Sequence, residues 1–543
     1  MSAVIGITFG NTTSSIAVPT QDGNVDVIAN PDGDRSIPTV LSYVGADEYH
    51  GSPAKGQLVR NAKNTIVNFR DFIGKKYDDV DVSVSNIGAK AIKTQDGGIG
   101  YEISRDNGKT EVVSTHEAAV RHFKQLRSAA QEYIGNVIGG VVITVPVDFT
   151  EEQKSELVKI ADEADLKVLQ LVHEPSAALL THLTSDDSLL EDKTVVVADI
   201  GGIRSDAAVV AVRGGIMTLL ATNQKKGLGG DRLDDVLAEY FAKEFEKKYK
   251  VDPRKTEKSL AKLRSETITV KKTLSNVQSS TCSIDSLAEG FDFHTSINRL
   301  RYELISRQVF AELTEFVEKT VEKAGLDKSE IDEVLLVGGV SHTPKLATNM
   351  ATIFPEEAKV VSPSLVTKAV DPSEATCRGA ALQASMIEAL DLDGIDHLLH
   401  QSVINAPHLS NAIGIKDAEG NFVTVLASET AYPIKKSIEV TNGSASTAQV
   451  DIYQGQKTVK ETTIQNDVDE DDSEEDEDDE PEIKKEVVYK CGEPLAHLSL
   501  KNLKPNAKLE VTFNINHHGI LSVTGRELKQ GSVPTKVEIS SKA

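Results

Sequence analysis

Two stretches of similar pattern carry residues that could bind phosphate groups. The first, Val4–Val18, turns at Gly10, and the second, Val195–Val209, turns at Gly201 and Gly202. Glycine lets a backbone approach a ligand closely, and successive turn N–H groups form a concave site for an anion. For either stretch alone an ordinary buried hairpin is the better interpretation. The pair favours two facing turns that hold the phosphates of a nucleotide between two half-domains.

A third glycine turn follows a buried strand further along the chain. Glu333–Val337 has the apolar pattern of a strand and runs directly into Gly338 and Gly339. A glycine pair at such a turn would let an aromatic base lie against bare backbone. It would equally allow a helix to pack closely on the strand, and the sequence does not decide between these interpretations.

Strands alternate with capped helices around these turns. Val141–Val145 has the pattern of a buried strand, and sequences typical of a capping box begin at Ser114 and at Thr150. The helix after Ser114 is expected to place Tyr133 on its apolar face, and a single long helix is expected at about Ser296–Ala324. This alternation indicates an α/β core.

The pattern changes to period-two alternation after Val403. Val450–Tyr453 is one example, and the turn at His517–Gly519 joins two apolar runs as in a hairpin, so an all-β segment is expected here. Asp467–Glu480 interrupts it with twelve acidic residues in fourteen. Charge of one sign at this density predicts a solvated, disordered insertion, with an electrostatic tether as the weaker alternative.

The chain is long and acidic. Its 543 residues predict several domains, and 59 basic against 83 acidic residues give a net charge of −24. Without the acidic run the net charge is still about −12. An acidic surface disfavours direct binding of nucleic acid, because that affinity comes from neutralising phosphates with Lys and Arg. Attachment to an RNA-rich particle would need a basic partner.

Cysteine content and hydropathy indicate a soluble, cytosolic protein. Cys282, Cys377 and Cys491 are far apart and odd in number, which argues against a disulfide framework or a zinc site. The N-terminus has no charged-then-apolar leader, and no apolar run approaches the ~20 residues that span a bilayer.

Taken together, six motifs resemble those of the DnaK-type, seventy-kilodalton heat-shock chaperones, in family order and over nearly the whole chain. They are Gly6–Thr12, Ile143–Pro146, Glu174–Ala178, Asp199–Gly202, Leu228–Asp231 and Leu336–Gly339. The resemblance implies an actin-like, two-lobed nucleotide-binding domain at 1–391, a linker at 392–404 and a β-sandwich at 405–543 that grips extended peptide. The acidic insertion is placed at 466–482, and no residues remain for the family's helical lid.

Several positions depart from the family pattern where hydrolysis would occur. Thr8 replaces a family acid that helps to hold magnesium-bound water, and Arg70 replaces the family lysine that positions the attacking water. Ile203 and Arg204 replace small residues of the second phosphate loop, and Ile268 replaces one acidic residue of the base clamp. We therefore assign no catalytic residue and regard Thr8 and Arg70 as degenerate positions.

The resemblance still implies that ATP binds. The expected cofactor-binding residues are Gly10, Asn11, Thr12, Gly201, Gly202, Ile203, Gly230, Lys271, Lys272, Ser275, Gly338, Gly339, Val340 and His342. Asp199 and Asp206 are retained, so a magnesium ion held through water is left open.

Within the family, this pattern is most similar to the fungal ribosome-associated members. The resemblance implies a stable heterodimer with a J-domain protein of the zuotin type, attachment to the ribosome through that partner, and support of a second chaperone acting on nascent polypeptide. It implies no direct contact with nucleic acid or membrane.

A conventional ATP-hydrolysing chaperone is the alternative, and it would require an acid at position 8, a lysine at position 70 and a lid. A sugar or acetate kinase on the same fold is disfavoured by the all-β segment, and an extended heat-shock exchange factor is disfavoured because it keeps more of the lid.

Overall fold

A computed structural model describes residues 3–85, 87–105, 109–186, 188–389, 407–464, 482–529 and 531–539. The predicted linker at 392–404 lies outside the described residues, as does almost all of the predicted acidic insertion at 466–482. The described part falls into two α/β lobes followed by an all-β region, which agrees with the mixed architecture expected from the sequence.

The first lobe is built on a mixed sheet with the order β12-β11-β1-β2-β3, in which β4 also pairs with β2. Its strands are β1 (Ala3–Phe9), β2 (Thr13–Pro19), β3 (Val25–Ile28), β4 (Ile37–Pro38), β5 (Val40–Val44), β6 (Asp47–His50), β7 (Thr65–Val67), β8 (Ala91–Lys93), β9 (Ile99–Ser104), β10 (Thr110–Ser114), β11 (Ile138–Val145) and β12 (Val168–His173). Its helices are α1 (Gly51–Gly56), α2 (Leu58–Asn61), α3 (Thr115–Ile134), α4 (Glu151–Glu163) and α5 (Glu174–Ser185). Because β1 pairs with β2 antiparallel and with β11 parallel, the first glycine turn lies where the carboxyl ends of β1 and β11 meet.

The second lobe repeats this plan with a sheet in the order β15-β14-β13-β18-β19. Its strands are β13 (Lys193–Ile200), β14 (Arg204–Arg213), β15 (Ile216–Lys226), β16 (Ser279–Ala288), β17 (Phe291–Asn298), β18 (Glu333–Val337) and β19 (Lys359–Val361). Its helices are α6 (Gly230–Tyr249), α7 (Glu257–Asn276), α8 (Arg299–Ile305), α9 (Arg307–Lys323), α10 (Pro344–Ile353) and α11 (Ala375–Glu388). β13 pairs antiparallel with β14 and parallel with β18, which places the second and third glycine turns side by side.

Helix α11 crosses back to the first lobe through contacts that only glycine permits. A Cβ at Gly6 in β1 would overlap the backbone at Ala380 and Ala381, and a Cβ at Gly379 would overlap the backbone of Ala177 in α5. These close approaches bring α5 and α11 together behind the cleft between the lobes.

The region from 407 onward contains two four-stranded antiparallel sheets, ordered β21-β20-β23-β24 and β22-β25-β26-β27. Its strands are β20 (Ile413–Lys416), β21 (Phe422–Leu426), β22 (Ile434–Thr441), β23 (Thr447–Ile464), β24 (Glu482–Lys501), β25 (Lys508–Ile515), β26 (Leu521–Glu527) and β27 (Thr535–Ile539). One buried cluster, which includes Ile452, Leu498 and Phe513, draws on strands of both sheets. Such a shared core is typical of a β-sandwich.

The β region contacts the second lobe through a buried arginine. Arg213 at the end of β14 donates from Nε to the carbonyl of Ser428 at 3.1 Å, and its guanidinium lies 3.4 Å from Glu429. Lys457 of β23 forms an ion pair with Glu330.

Two expectations about helices were wrong. The single helix predicted at about Ser296–Ala324 is interrupted at Ser306, and its first residues belong to the β16–β17 hairpin, which the periodicity did not reveal. Tyr133 is 53% exposed, although its neighbour Ile134 still packs against the core of the first lobe, so the last turn of α3 directs Ile134 and not Tyr133 inward. The capping box predicted at Thr150 is present, with both reciprocal hydrogen bonds. At Ser114 only half of the predicted box forms: the Ser114 side chain accepts the Glu117 N–H, whereas the Glu117 carboxylate pairs with Arg121.

Candidate nucleotide-binding cleft

A cavity of about 1520 Å³ separates the two lobes and contains every residue predicted to bind a cofactor. These lining residues are Gly10, Asn11, Thr12, Gly201, Gly202, Ile203, Gly230, Lys271, Lys272, Ser275, Gly338, Gly339, Val340 and His342. Thr8, Arg70, Asp199 and Asp206 also line it. The fold therefore brings together residues that are more than 300 positions apart in sequence.

The first glycine turn presents an unused donor to the cleft. The Gly10 N–H donates to the carbonyl of Thr13 at 3.1 Å, which closes the turn between β1 and β2. Asn11 is buried, and its Oδ1 accepts the N–H of Asp71 at 3.3 Å. Among the described residues no group accepts a hydrogen bond from Asn11 Nδ2. A buried amide donor that lines a cleft suits a phosphate oxygen, because leaving it unpaired costs about 1–3 kcal/mol.

The second glycine turn is fixed from behind by the start of α6. The N–H groups of Gly230 and Asp231 donate to the carbonyls of Gly201 and Gly202, both at 2.9 Å. A Cβ at Gly202 would lie 2.5 Å from Cγ2 of Thr12. The two phosphate loops therefore face each other at a distance that a larger residue at 202 would not allow.

The third glycine turn lies beside the second, and its Gly339 marks the end of the cleft where a base is expected. Gly338 has φ 83°, a conformation that favours glycine, and a Cβ there would lie 2.5 Å from Asp199 Oδ1. At Gly339, by contrast, no heavy atom of the described residues lies within 4 Å of an added Cβ. Nearby, His342 Nε2 lies 3.0 Å from the Ser373 hydroxyl. Gly339 therefore offers bare backbone to open space, which favours its interpretation as a surface for a flat base.

Lysine and aspartate side chains line one side of the cleft together. Lys271 Nζ donates to Asp234 Oδ2 at 2.6 Å and to the Gly230 carbonyl at 2.9 Å, which ties α7 to the start of α6. Lys55 enters from the first lobe, and burial together with the neighbouring charge of Lys272 lowers its pKa. Positive groups held this close are stabilised by a bound anion.

Two buried arginines occupy the phosphate end of the cleft. Arg70 donates from NH1 to Glu174 Oε1 at 3.0 Å and lies 2.9 Å from Asp71 Oδ1. Arg204 donates from Nε to Asp206 Oδ2 at 2.7 Å, and its NH2 also pairs with Asp206 Oδ1.

The remaining contacts of Arg204 cross the cleft. Its NH2 donates to Asp148 Oδ1 at 2.9 Å and its NH1 to Asp71 Oδ2 at 3.2 Å. Asp71 and Asp148 belong to the first lobe, whereas Arg204 and Asp206 belong to the second. The arginine therefore joins the two lobes by ion pairs.

The pKa values of the carboxyl groups reflect this network. Burial would raise the pKa of Asp71, but the charges of Arg70 and Arg204 outweigh it and lower that pKa below its usual range. Burial raises the pKa of Glu174, with Asp199 adding to the effect and Arg70 opposing it. Burial and the charge of Asp206 raise the pKa of Asp199 to about 6.

These donors do not fit a divalent ion of the kind that the fold family implies. Mg²⁺ prefers an octahedral set of oxygen ligands that includes carboxylates and phosphates. Both oxygens of Asp206 are already paired with Arg204, and Thr8 supplies no charge and accepts from the Thr144 hydroxyl at 3.3 Å. The glycine turns, the Asn11 donor and the lysines fit a nucleotide, but the carboxylate of Asp206 is committed to Arg204.

The ion network is the part of the site that the sequence analysis missed. Arg204 and Asp206 are two residues apart on a strand, so they share a face, and this spacing was a usable signal. Asp71 and Asp148 could not be assigned in the same way, because only the closure of the two lobes brings them to Arg204.

No described helix is both long and apolar enough to cross a membrane.

Among the described residues, His182, Asp186 and Glu333 are grouped closely enough to share a metal ion. Lys193 Nζ lies 3.1 Å from Glu333 Oε1, however, so the carboxylate of Glu333 already has a cationic partner.

Comparisons with known proteins cover almost the whole chain. Residues 4–467 match the family described as Hsp70 protein. The ribosome-associated complex subunit SSZ1 of Saccharomyces cerevisiae is 48% identical over 98% of this chain and 98% of its own length. The heat shock protein 70 homolog C57A7.12 of Schizosaccharomyces pombe is 43% identical, over 96% of this chain and 93% of its own. The heat shock 70 kDa protein 14 of Danio rerio is 33% identical, over 85% and 90%.

Proposed function

This chain belongs to the Hsp70 family, and we propose that within the family it is an ATP-binding subunit with little or no hydrolysis. In this proposal the bound ATP is a structural ligand that braces the two lobes. The chain acts in a stable complex with a J-domain protein of the zuotin type at the ribosome. There it supports stimulation of the ATPase of another chaperone during folding of nascent chains.

The pairing of Arg204 with Asp206 is the main support for little or no hydrolysis. Phosphoryl transfer depends on groups placed to position the nucleophile and to stabilise charge as it develops. The carboxylate of Asp206 is neutralised by a guanidinium, Thr8 supplies no carboxylate, and Arg70 is held by Asp71 and Glu174. Removing one preorganised group typically costs about 10²–10³ in rate, so three altered positions favour very slow turnover.

Binding depends on different residues, and these are present. The three glycine turns, the unpaired Asn11 donor and the lysines of α7 line one cavity. Neither arginine blocks the base end, because the described contacts of Arg70 and Arg204 are with the carboxylates and the Phe9 carbonyl near the phosphate loops.

Similarity to a named subunit of a ribosome-associated complex supports the second half of the proposal. That relative is 48% identical over 98% of its length, which covers the β region as well as both lobes. We propose that the β region holds a segment of the J-domain partner. Localisation would be cytoplasmic and ribosome-associated through that partner. Contact with nascent polypeptide belongs to the same proposal, and direct binding of nucleic acid or membrane does not.

Purification of the tagged chain from fungal cytosol tests this proposal. We expect one J-domain protein in equal amount with the chain, ribosomes in the same fraction at low salt, and ATP rather than ADP released on denaturation. A broad mixture of client proteins together with bound ADP would contradict it and would favour the conventional chaperone.

A further inference from the structure

We propose that Arg204 takes the place of a divalent cation at the phosphate end of the cleft, so that this chain binds ATP without magnesium. The inference rests on the proposed function, because it concerns the nucleotide that the same cleft would hold. It goes further in naming the ligand as the metal-free triphosphate and in assigning its counter-charge to a side chain.

The first observation is the position of the guanidinium. Arg204 is 6% exposed and is held by three carboxylates, those of Asp71, Asp148 and Asp206. Two of these come from the first lobe and one from the second. A buried positive charge that gathers carboxylates from both sides of a cleft provides the bridge that a cation would otherwise provide.

The second observation is that a metal ion would have to displace this arginine. The Nε and NH2 groups of Arg204 occupy both oxygens of Asp206. A metal ion bound to Asp206 would have to break this bidentate pair in a buried site, which is unfavourable.

The third observation is that Arg204 keeps hydrogen-bonding capacity for a ligand. A guanidinium has five N–H donors. The described contacts use four of them, one from Nε, one from NH1 and two from NH2. One NH1 donor is left in a residue that lines the cavity. Arg204 can therefore hold the carboxylates and still donate to a phosphate oxygen.

The fourth observation concerns charge further along the cleft. Lys55 and Lys272 approach from opposite lobes, and their mutual repulsion together with burial lowers the pKa of Lys55. Both residues line the cavity. A triphosphate without its metal carries more negative charge than the metal complex, and these lysines are suited to neutralise it.

Equilibrium binding of ATP in excess EDTA and in excess Mg²⁺ tests the inference directly. For the wild-type chain we expect ATP to bind in EDTA with a dissociation constant no larger than that in Mg²⁺, because excess Mg²⁺ withdraws the metal-free ATP that the cleft is inferred to bind. Manganese added to the chain loaded with ATP and separated from free nucleotide should show no bound fraction in its electron paramagnetic resonance spectrum. Loss of binding in EDTA by tenfold or more, or a bound manganese signal, would overturn the inference.

Substitution of Arg204 gives a second test. In Arg204→Thr, Asp206 loses its guanidinium partner, so we expect ATP affinity in EDTA to fall at least tenfold (about 1.4 kcal/mol) and Mg²⁺ to restore part of it. Arg232→Thr is the matched control, because Arg232 pairs with Glu312 on a more exposed face of α6 and does not line the cavity. Equal metal dependence in Arg204→Thr and the wild type would overturn the inference.

The two proposals fail in different ways. If the wild-type chain binds no ATP with or without Mg²⁺, the proposed function is wrong. If it binds ATP only with Mg²⁺ and does not hydrolyse it, the proposed function stands and the role assigned to Arg204 is wrong. The wild-type comparison needs no substitution, so the inference can be tested even if Arg204→Thr fails to fold.

Discussion

The two ends of the cleft differ in how their polar groups are used. At the base end, Gly339 presents bare backbone to open space. At the phosphate end, Arg70 and Arg204 are buried, and their guanidinium groups are paired with four carboxylates. The base end leaves room for a bound ligand, whereas much of the charge at the phosphate end is neutralised by ion pairs within the protein.

This difference shows how binding can be retained when hydrolysis is lost. Binding requires space and donors that match a nucleotide, and the glycine turns supply both. Hydrolysis requires charges that are free to act on the transition state, and charges already paired with one another cannot do so at full strength. In this account the ion pairs that join the lobes are the structural reason for slow turnover.

Removing Arg70 should have the largest effect on stability. Arg70→Ala leaves the buried Glu174 without a cationic partner and Asp71 with Arg204 alone, and we expect a loss of about 3–5 kcal/mol in the free energy of unfolding. Urea titration of the intact chain measures it. Arg232→Ala is the control, since exposed pairs such as Arg232–Glu312 contribute about 1 kcal/mol or less. Similar losses in both variants would show that the phosphate end is not held by its ion pairs.

Filling the base end should remove binding and leave the fold intact. In Gly339→Leu the side chain enters open space, so we expect ATP affinity to fall about a hundredfold, or 2.7 kcal/mol, with little change in thermal unfolding of the nucleotide-free chain. Gly339→Ala should lie between this variant and the wild type. Wild-type affinity in Gly339→Leu would mean that the base does not bind there.

A buried histidine behind the first phosphate loop should make that end sensitive to acid. His122 Nε2 lies 2.9 Å from the Ser14 hydroxyl, and burial lowers the pKa of His122 to about 3. The unfolded chain therefore binds the extra proton first, and the stability contributed by His122 is present above pH ~6.5 and is lost as the pH falls toward 3. Relative to His122→Gln, the wild type should lose up to about 1.4 kcal/mol per pH unit between pH 6 and 4. Parallel pH profiles would contradict this assignment.

Restoring the family residues at two positions should have the smallest effect. In the double variant Thr8→Asp with Arg70→Lys, Arg204 still pairs with Asp206, so we expect phosphate release to stay at the wild-type rate. Adding Arg204→Thr should increase release in the presence of Mg²⁺. Fast release in the double variant would show that Arg204 does not limit hydrolysis.

The sequence predicted those parts of the molecule that depend on local pattern. The glycine turns, the strands that flank them and the cap at Thr150 could all be predicted because each is specified within about fifteen neighbouring residues. The break between α8 and α9 was missed, because Ser306 is an ordinary residue within a helical period. The network of Arg204 was missed because Asp71 and Asp148 are distant in sequence, and only the closed fold brings these charges together.

Single-turnover measurement on the purified chain tests the central claim most directly. The chain is loaded with γ-labelled ATP, separated from free nucleotide, and followed for retained ATP and released phosphate, with and without an extended peptide. We predict that the nucleotide stays bound and intact and that peptide makes no difference. Rapid phosphate release that peptide accelerates would contradict the account.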